Sequence, residues 1–298
     1  MLGSNSRAGE FRFNLCDPRA RSDNTSVASR GFGCVVSTDM DDLIQTVLDR
    51  VLTADPGGIV GVYLYGSSTT TGLGPESDVD LLLVTRRSLT SQERASLVST
   101  LLGLSGWKGH ADVFPEVASR RPLEVTSLIA DDLEPLVAAP WCDFQFGEWL
   151  RSDFIQGYVS EPERDPDVVI LLATALASHQ VLHGPSLGAL VADVPFALLK
   201  DAQLAALPGL VEDLGDGRNV LLTLARALHT VETGAIVPKE QAAVTAAKRV
   251  DAAGAELLLA AAGEYRGEEQ VDWDRESSRV SSLAQSLITL IRRTSAEP

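Results

Sequence analysis

The chain is poor in aromatic side chains, which make up 5% of its 298 residues, so aliphatic side chains must fill its core. It is also poor in cysteine. Cys16, Cys34 and Cys142 are odd in number and lack the spacing of a metal cluster. That excludes a disulfide scaffold and points to a reducing compartment, the cytoplasm. Basic residues are scarce: 25 lysines and arginines stand against 41 acids, a formal net charge of -16. Nucleic acids and anionic membrane surfaces are bound through an excess of lysine and arginine, so neither is an expected partner. A cationic small molecule suits such a chain better. No run reaches the roughly 18 to 20 apolar residues of a membrane span. The amino terminus also lacks the continuous apolar core of a signal peptide. The histidines His110, His179, His183 and His229 show no metal-ligand spacing.

What is present is length and aliphatic content. With 45% hydrophobic residues, a chain of this size is expected to build two domains. Residues 1–38 carry five arginines against three acids among Ser, Gly and Asn, with little apolar periodicity, and are expected to form a disordered leader. A helix follows, with Leu43, Ile44, Val47, Leu48, Val51 and Leu52 at threes and fours and Thr38 or Asp39 as its cap.

The densest chemistry lies between residues 59 and 85. Ile59 to Tyr65 is a β-branched and aromatic run of strand length, and it delivers the chain to Gly66-Ser67. Glycine at such a turn lets the backbone approach a phosphate. A loop with Gly72, Gly74 and Pro75 leads to Ser77-Asp78-Val79-Asp80, where a second strand begins. Side chains alternate along a strand, so Asp78 and Asp80 face one way and Val79 the other. Two convergent carboxylates are what magnesium needs, and magnesium commonly carries nucleotide phosphates. The alternative is a polar strand end that simply stays wet.

Leu123 to Ile129 predicts a further strand, with Glu124 its one charge. Glu124, ionised at neutral pH, is suited to accept a proton from an attacking hydroxyl. Equally, it fits an edge strand whose acid faces water. Ser91 is placed to cap a helix with Leu97, Val98, Leu101 and Leu102 inside. Beyond about residue 160 only helices are predicted: Asp167 to Leu182, apolar nearly all round, then Phe196 to Leu207, Asn219 to Glu232, Lys239 to Ala253, Glu256 to Arg266 and Ser281 to Ile291. The expected organisation is a leader (1–38), an α/β (α+β) catalytic domain with a mixed sheet (39–160) and an all-α helical bundle (161–298), with a cleft between the two folded parts.

The pattern Gly66-Ser67, a spacer, then Ser77-Asp78-Val79-Asp80 resembles the signature of the polymerase-β-type nucleotidyltransferase superfamily. Leu64-Tyr65-Gly66-Ser67 and Ser77 to Leu82 resemble its antibiotic-modifying branch. With Gln145-Phe146-Gly147-Glu148-Trp149 and Gly215-Asp216-Gly217-Arg218-Asn219-Val220, the likeness narrows to the aminoglycoside adenylyltransferases that act on streptomycin and spectinomycin. It runs from about residue 43 to about residue 270. The resemblance implies Mg2+ held by Asp78 and Asp80, Glu124 as general base and ATP as co-substrate, with Ser67, Ser77, Arg226, Lys239 and Tyr265 on the nucleotide. It also implies Trp149, Glu212 and Asp216 on the antibiotic. The chain departs from the family pattern where Glu212 stands for an aspartate, Gly217 for an acidic residue and Ala235 for a lysine, and in a longer spacer from Asp80 to Glu124.

Bland readings remain open for some of these residues. Phe146 and Trp149, three apart, would be core anchors if that segment were helical. Asp216 also suits a helix cap. The expected product is an AMP-modified antibiotic with release of pyrophosphate, made by a monomer. The alternative is a regulatory protein of nucleotidyltransferase fold that modifies or binds a protein partner; a long helical half and the Gln145 to Trp149 segment are features that a minimal protein of that kind lacks.

Overall fold

The computed structural model describes residues 36–70, 77–212 and 216–296. Residues 1–35 of the expected leader lie outside them. Helix α1 (Val36–Ala54) already includes Val36 to Thr38, so Thr38 and Asp39 sit inside its first turns and do not cap it.

Three strands form where β-branched and aliphatic runs predict them: β1 (Ile59–Tyr65), β2 (Val79–Thr85) and β3 (Leu123–Ile129). β2 pairs antiparallel with β1 and parallel with β3, which makes the sheet mixed. The parallel crossover passes through α2 (Ser91–Leu104). Its cap is Thr90, not Ser91: the Thr90 hydroxyl accepts the Glu93 N–H while the Glu93 carboxylate accepts the Thr90 N–H, a reciprocal capping box.

After β3 the chain makes β4 (Trp141–Cys142) and β5 (Phe144–Phe146), a short α3 (Arg151–Ile155) and β6 (Glu163–Arg164), which pairs with β4. β5 adds antiparallel to β3. Glu124 is therefore on an interior strand and is 5% exposed, which rules out the edge-strand reading.

The largest departure follows helix α4 (Asp167–Ala177). The expected helix to Leu182 stops early, and His179–His183 forms strand β7 on the open edge of β1. Among the described residues the resulting sheet has five strands in the order β5-β3-β2-β1-β7. Stretches beyond 160 thus return to the sheet, and the expectation of helices alone is corrected. The reason is long-range: unpaired backbone groups on β1 accept a partner that local pattern does not announce.

Alternation along the strands gives the sheet two different faces. Val62, Leu64, Leu81, Leu83, Val125 and Phe146 pack against α1 and α2. Tyr63, Leu82, Val84 and Leu128 pack against Val168, Leu171, Leu172 and Ala175 of α4. The opposite side of α4, through Val169 and Ile170, meets Leu199 and Ala202 of α5 (Phe196–Glu212). Burial on both sides is what its all-round apolar composition predicts. Truncating a fully buried residue such as Leu82 to alanine would cost about 2–5 kcal/mol.

The remaining helices are α6 (Gly217–Thr233), α7 (Lys239–Ala246), α8 (Ala252–Tyr265) and α9 (Trp273–Ala296). α6 is the hub, with α5, α7, α8 and α9 packed around it over a core of Val220, Leu221, Leu224 and Leu228. Among the described residues no helix is long and apolar enough to cross a membrane.

Candidate active site

Register sets the first row of the site. Tyr65 at the end of β1 is opposite Asp80 at the start of β2, and Asp80 is opposite Glu124 at the start of β3. Directly paired residues point to one side of a sheet, here the α4 side. Directly after Tyr65, Gly66–Thr69 forms a single 3-10 turn. Gly66 has φ +74°, and a Cβ there would lie 2.0 Å from the Asp80 carboxylate, so both backbone and neighbour require glycine. The turn is tied down at its other end, where Thr69 and Ser178 exchange hydroxyl-to-carbonyl hydrogen bonds of 3.1 and 2.9 Å. Arg121 donates to the Ser77 carbonyl at 2.7 Å and holds the approach to Asp78.

The bundle supplies the second wall. The Asp216 side chain accepts the Asn219 N–H at 3.0 Å and caps α6, the local reading made from sequence. One turn on, Asn219 accepts the Lys239 ammonium at 2.6 Å. Arg226 lies two turns along the same helix, Lys239 opens α7 and Tyr265 closes α8. An open cleft between sheet and bundle is lined by Ser67, Ser77, Asp78, Asp80, Glu124, Asp216, Arg226, Lys239 and Tyr265 together.

Opposite charges face each other across this cleft, and burial strains all of them. Asp80 is pushed up to about 8, by desolvation first and then by Asp78, with Lys239 and Arg226 pulling the other way. Desolvation, Asp80 and Asp78 raise Glu124 well above the usual carboxylate range. Lys239 is lowered to about 8 by desolvation and by Arg226. Carboxylates on one wall and two bases on the other, all in a cleft that disfavours their charges, are an arrangement that a cation beside the aspartates and an anion beside the bases would suit.

Other expected residues are elsewhere. Trp149 is on a 3-10 turn (Glu148–Leu150) after β5, half-buried and off the wall of this cleft. Phe146 ends a strand and packs in the core, so the two aromatics share no helix. Glu212 is the last residue of α5, and its side chain lies outside the described residues. Tyr65, Arg218, Asn219 and Glu240 also line the cleft and were not assigned to it from sequence. For Tyr65 the signal was present, because strand alternation puts it beside Asp80.

Residues 44–116 match the family described as nucleotidyltransferase domain, and residues 189–289 match aminoglycoside adenylyltransferase, C-terminal domain. A spectinomycin 9-adenylyltransferase of Staphylococcus aureus is 40% identical over 226 residues, 76% of this chain and 85% of that protein. An aminoglycoside (3'') (9) adenylyltransferase of Escherichia coli is 34% identical over 251 residues, 83% of this chain and 90% of that protein. Among solved structures, the spectinomycin adenyltransferase AAD(9) of Enterococcus faecalis with ATP and spectinomycin superposes with a TM-score of 0.78 at 28% identity, covering 85% of this chain and 99% of that one. Identity at this level, over nearly the whole of each relative and across both halves of the cleft, is decisive: the chain belongs to the aminoglycoside adenylyltransferase family of nucleotidyltransferases.

Proposed function

We propose that the protein transfers AMP from ATP to a hydroxyl of spectinomycin, streptomycin or both, with Mg2+, releasing pyrophosphate and inactivating the drug. The observation that carries this reading is the row Asp80–Glu124 facing Arg226 and Lys239 across one cleft, in a chain similar to an enzyme whose structure holds ATP and spectinomycin.

The donor set fits magnesium. Asp78 and Asp80 offer hard carboxylate oxygens that repel one another. Among the described residues no set of three His, Cys, Asp or Glu side chains closes on one point, so the remaining oxygens would come from the nucleotide. Magnesium bound there would neutralise phosphate charge and cancel the repulsion that these aspartates exert on Glu124.

The chain's own groups do the rest. Arg226 and Lys239 hold the triphosphate from the bundle side, Ser67 and Ser77 from the sheet side, and Tyr265 borders the base or sugar. Glu124 takes the proton of the drug hydroxyl as its oxygen bonds to the α-phosphorus. The bond from that phosphorus to the bridging oxygen breaks, and the departing pyrophosphate stays paired with the two cations. Trp149, Glu212 and Asp216 receive the drug, the indole covering a sugar or cyclitol face. All the lining side chains of the cleft belong to one chain, and a monomer is the acting unit in this reading.

The test is pyrophosphate release from ATP and Mg2+ in the presence of each drug. Release should require the drug. Release that ignores both drugs, with AMP appearing on a protein, supports the regulatory alternative instead.

A further inference from the structure

One buried polar cluster takes no part in the cleft. Glu148 accepts Arg151 Nε at 2.7 Å and Nη2 at 2.8 Å, His110 Nδ1 at 3.1 Å, and the hydroxyl of Ser105. Arg151 Nη2 also donates to the carbonyls of Ser105 and Leu102, at 2.9 and 3.3 Å. Burial opposes the charge on Glu148, but Arg151, His110 and Ser105 outweigh it and hold the carboxyl at about 2. A carboxylate only accepts, so His110 carries its proton on Nδ1.

This cluster touches both functional segments. Ser105 Oγ accepts the N–H of Leu123 at 3.0 Å, one residue before Glu124. Glu148 and Arg151 flank Trp149 on the chain, and both side chains are locked in the cluster. The indole itself lies over Gly147, where a Cβ would come within 2.2 Å of the ring. Trp149 belongs to none of the hydrophobic clusters among the described residues. The indole is seated on the Gly147 backbone, and the turn that carries it is held at Glu148 and Arg151 by the polar cluster.

We propose that Ser105, His110, Glu148 and Arg151 form a positioning device that fixes Trp149 relative to Glu124, so that a drug held against the indole presents its hydroxyl to the base. The drug-facing half of this statement rests on the function proposed above. His110 is the member whose replacement strands no buried charge, although its ring also packs edge-on against Trp107 and Phe114, at 5.0 and 5.6 Å between centroids, contacts that neither alanine nor asparagine keeps. Its side chain is 18% exposed, whereas removing Glu148 would strand the buried Arg151 guanidinium.

Two variants test it. His110→Ala deletes the hydrogen bond to Glu148, and His110→Asn restores an N–H donor near the position of Nδ1. The expected result is a drug KM raised about three- to tenfold in His110→Ala, the range for one lost hydrogen bond. The ATP KM should stay unchanged, and His110→Asn should recover most of the loss. Unchanged drug KM overturns the proposal, as do both KM values rising together with a fall in Tm, or His110→Asn behaving no better than alanine. A second readout needs no drug. In 5-fluorotryptophan-labelled protein, the 19F resonance of Trp149, assigned with Trp149→Phe, should shift in His110→Ala and return in His110→Asn. A stationary Trp149 resonance overturns the proposal whatever the kinetics. If the resonance moves but the wild-type protein modifies neither drug, the positioning stands and the proposed function falls.

Discussion

Asp80 and Glu124 are direct register partners on the parallel strands β2 and β3, and both face Lys239 and Arg226 of the helical bundle. In the proposed mechanism this relationship would link metal binding to base strength, because after burial itself the Asp80 carboxylate is the main cause that raises the proton affinity of Glu124.

Asp80→Asn removes a hard anionic ligand and also one source of repulsion on Glu124. It should weaken magnesium-dependent ATP binding by at least about tenfold. It should also move the acid limb of the kcat/KM profile to lower pH, since Glu124 loses the neighbour that raises it. An unaltered magnesium dependence with an unaltered acid limb counts against both roles of Asp80.

Lys239 limits the alkaline side. In the proposed triphosphate contact its ammonium, lowered to about 8 by burial and Arg226, would bind phosphate only while charged. kcat/KM for ATP should therefore decline above pH 8, by about one decade per pH unit. Lys239→Arg, whose guanidinium stays charged, should carry the plateau to higher pH. A decline at the same pH in both proteins would assign that limb to another group.

Stability should show a separate pH signature from Asp165 and Asp167 at the start of α4. Asp165 Oδ2 and Asp167 Oδ1 are buried without a hydrogen-bond partner. Burial is the main cause that lifts their carboxyls to about 7 and about 8. The folded protein then holds more protons than the unfolded chain from about pH 4 to pH 8, so this contribution to stability falls as pH rises through that window. Asp167→Asn should raise Tm at pH 8 and make little difference near pH 4. Each kcal/mol gained would appear as roughly 2–4 °C. An equal or lower Tm at pH 8 shows that the Asp167 carboxylate has a compensating partner.

Much of this was legible before the structure. β1, β2 and β3 announce themselves by β-branched and aliphatic runs, and alternation along β2 puts Asp78 and Asp80 on one face. β7 was not legible, because Val181 and Leu182 continue the apolar run of α4 and the strand exists only through pairing of His179 with Tyr65 and Val181 with Tyr63. The cap at Thr90 was missed by one residue: two hydroxyls stand side by side, and only the reciprocal bond to Glu93 chooses between them. The Lys239–Asn219 contact joins two helices across a turn, and no periodicity encodes it. The same holds for the Glu148 cluster, whose members come from the residue after α2 (Ser105), the turn that follows it (His110), the 3-10 turn after β5 (Glu148) and the start of α3 (Arg151).

If the proposed function holds, drug preference should turn on Trp149. Trp149→Ala should cut streptomycin turnover by roughly one to two decades, the equivalent of about 1–3 kcal/mol for a lost aromatic and cation contact. Spectinomycin, the smaller drug, should be affected less. Equal loss for both drugs would show that Trp149 serves the shape of the turn and not the choice of substrate.

Adenylyl transfer with Glu124 as base would be read from the mass of the drug itself. After incubation of spectinomycin or streptomycin with the protein, ATP and Mg2+, at least one drug should gain the mass of one adenylyl group. Under the same conditions Glu124→Gln should give about 10²- to 10⁴-fold less product while still binding ATP. Unmodified drugs with the wild-type protein, or undiminished modification by Glu124→Gln, would contradict the account.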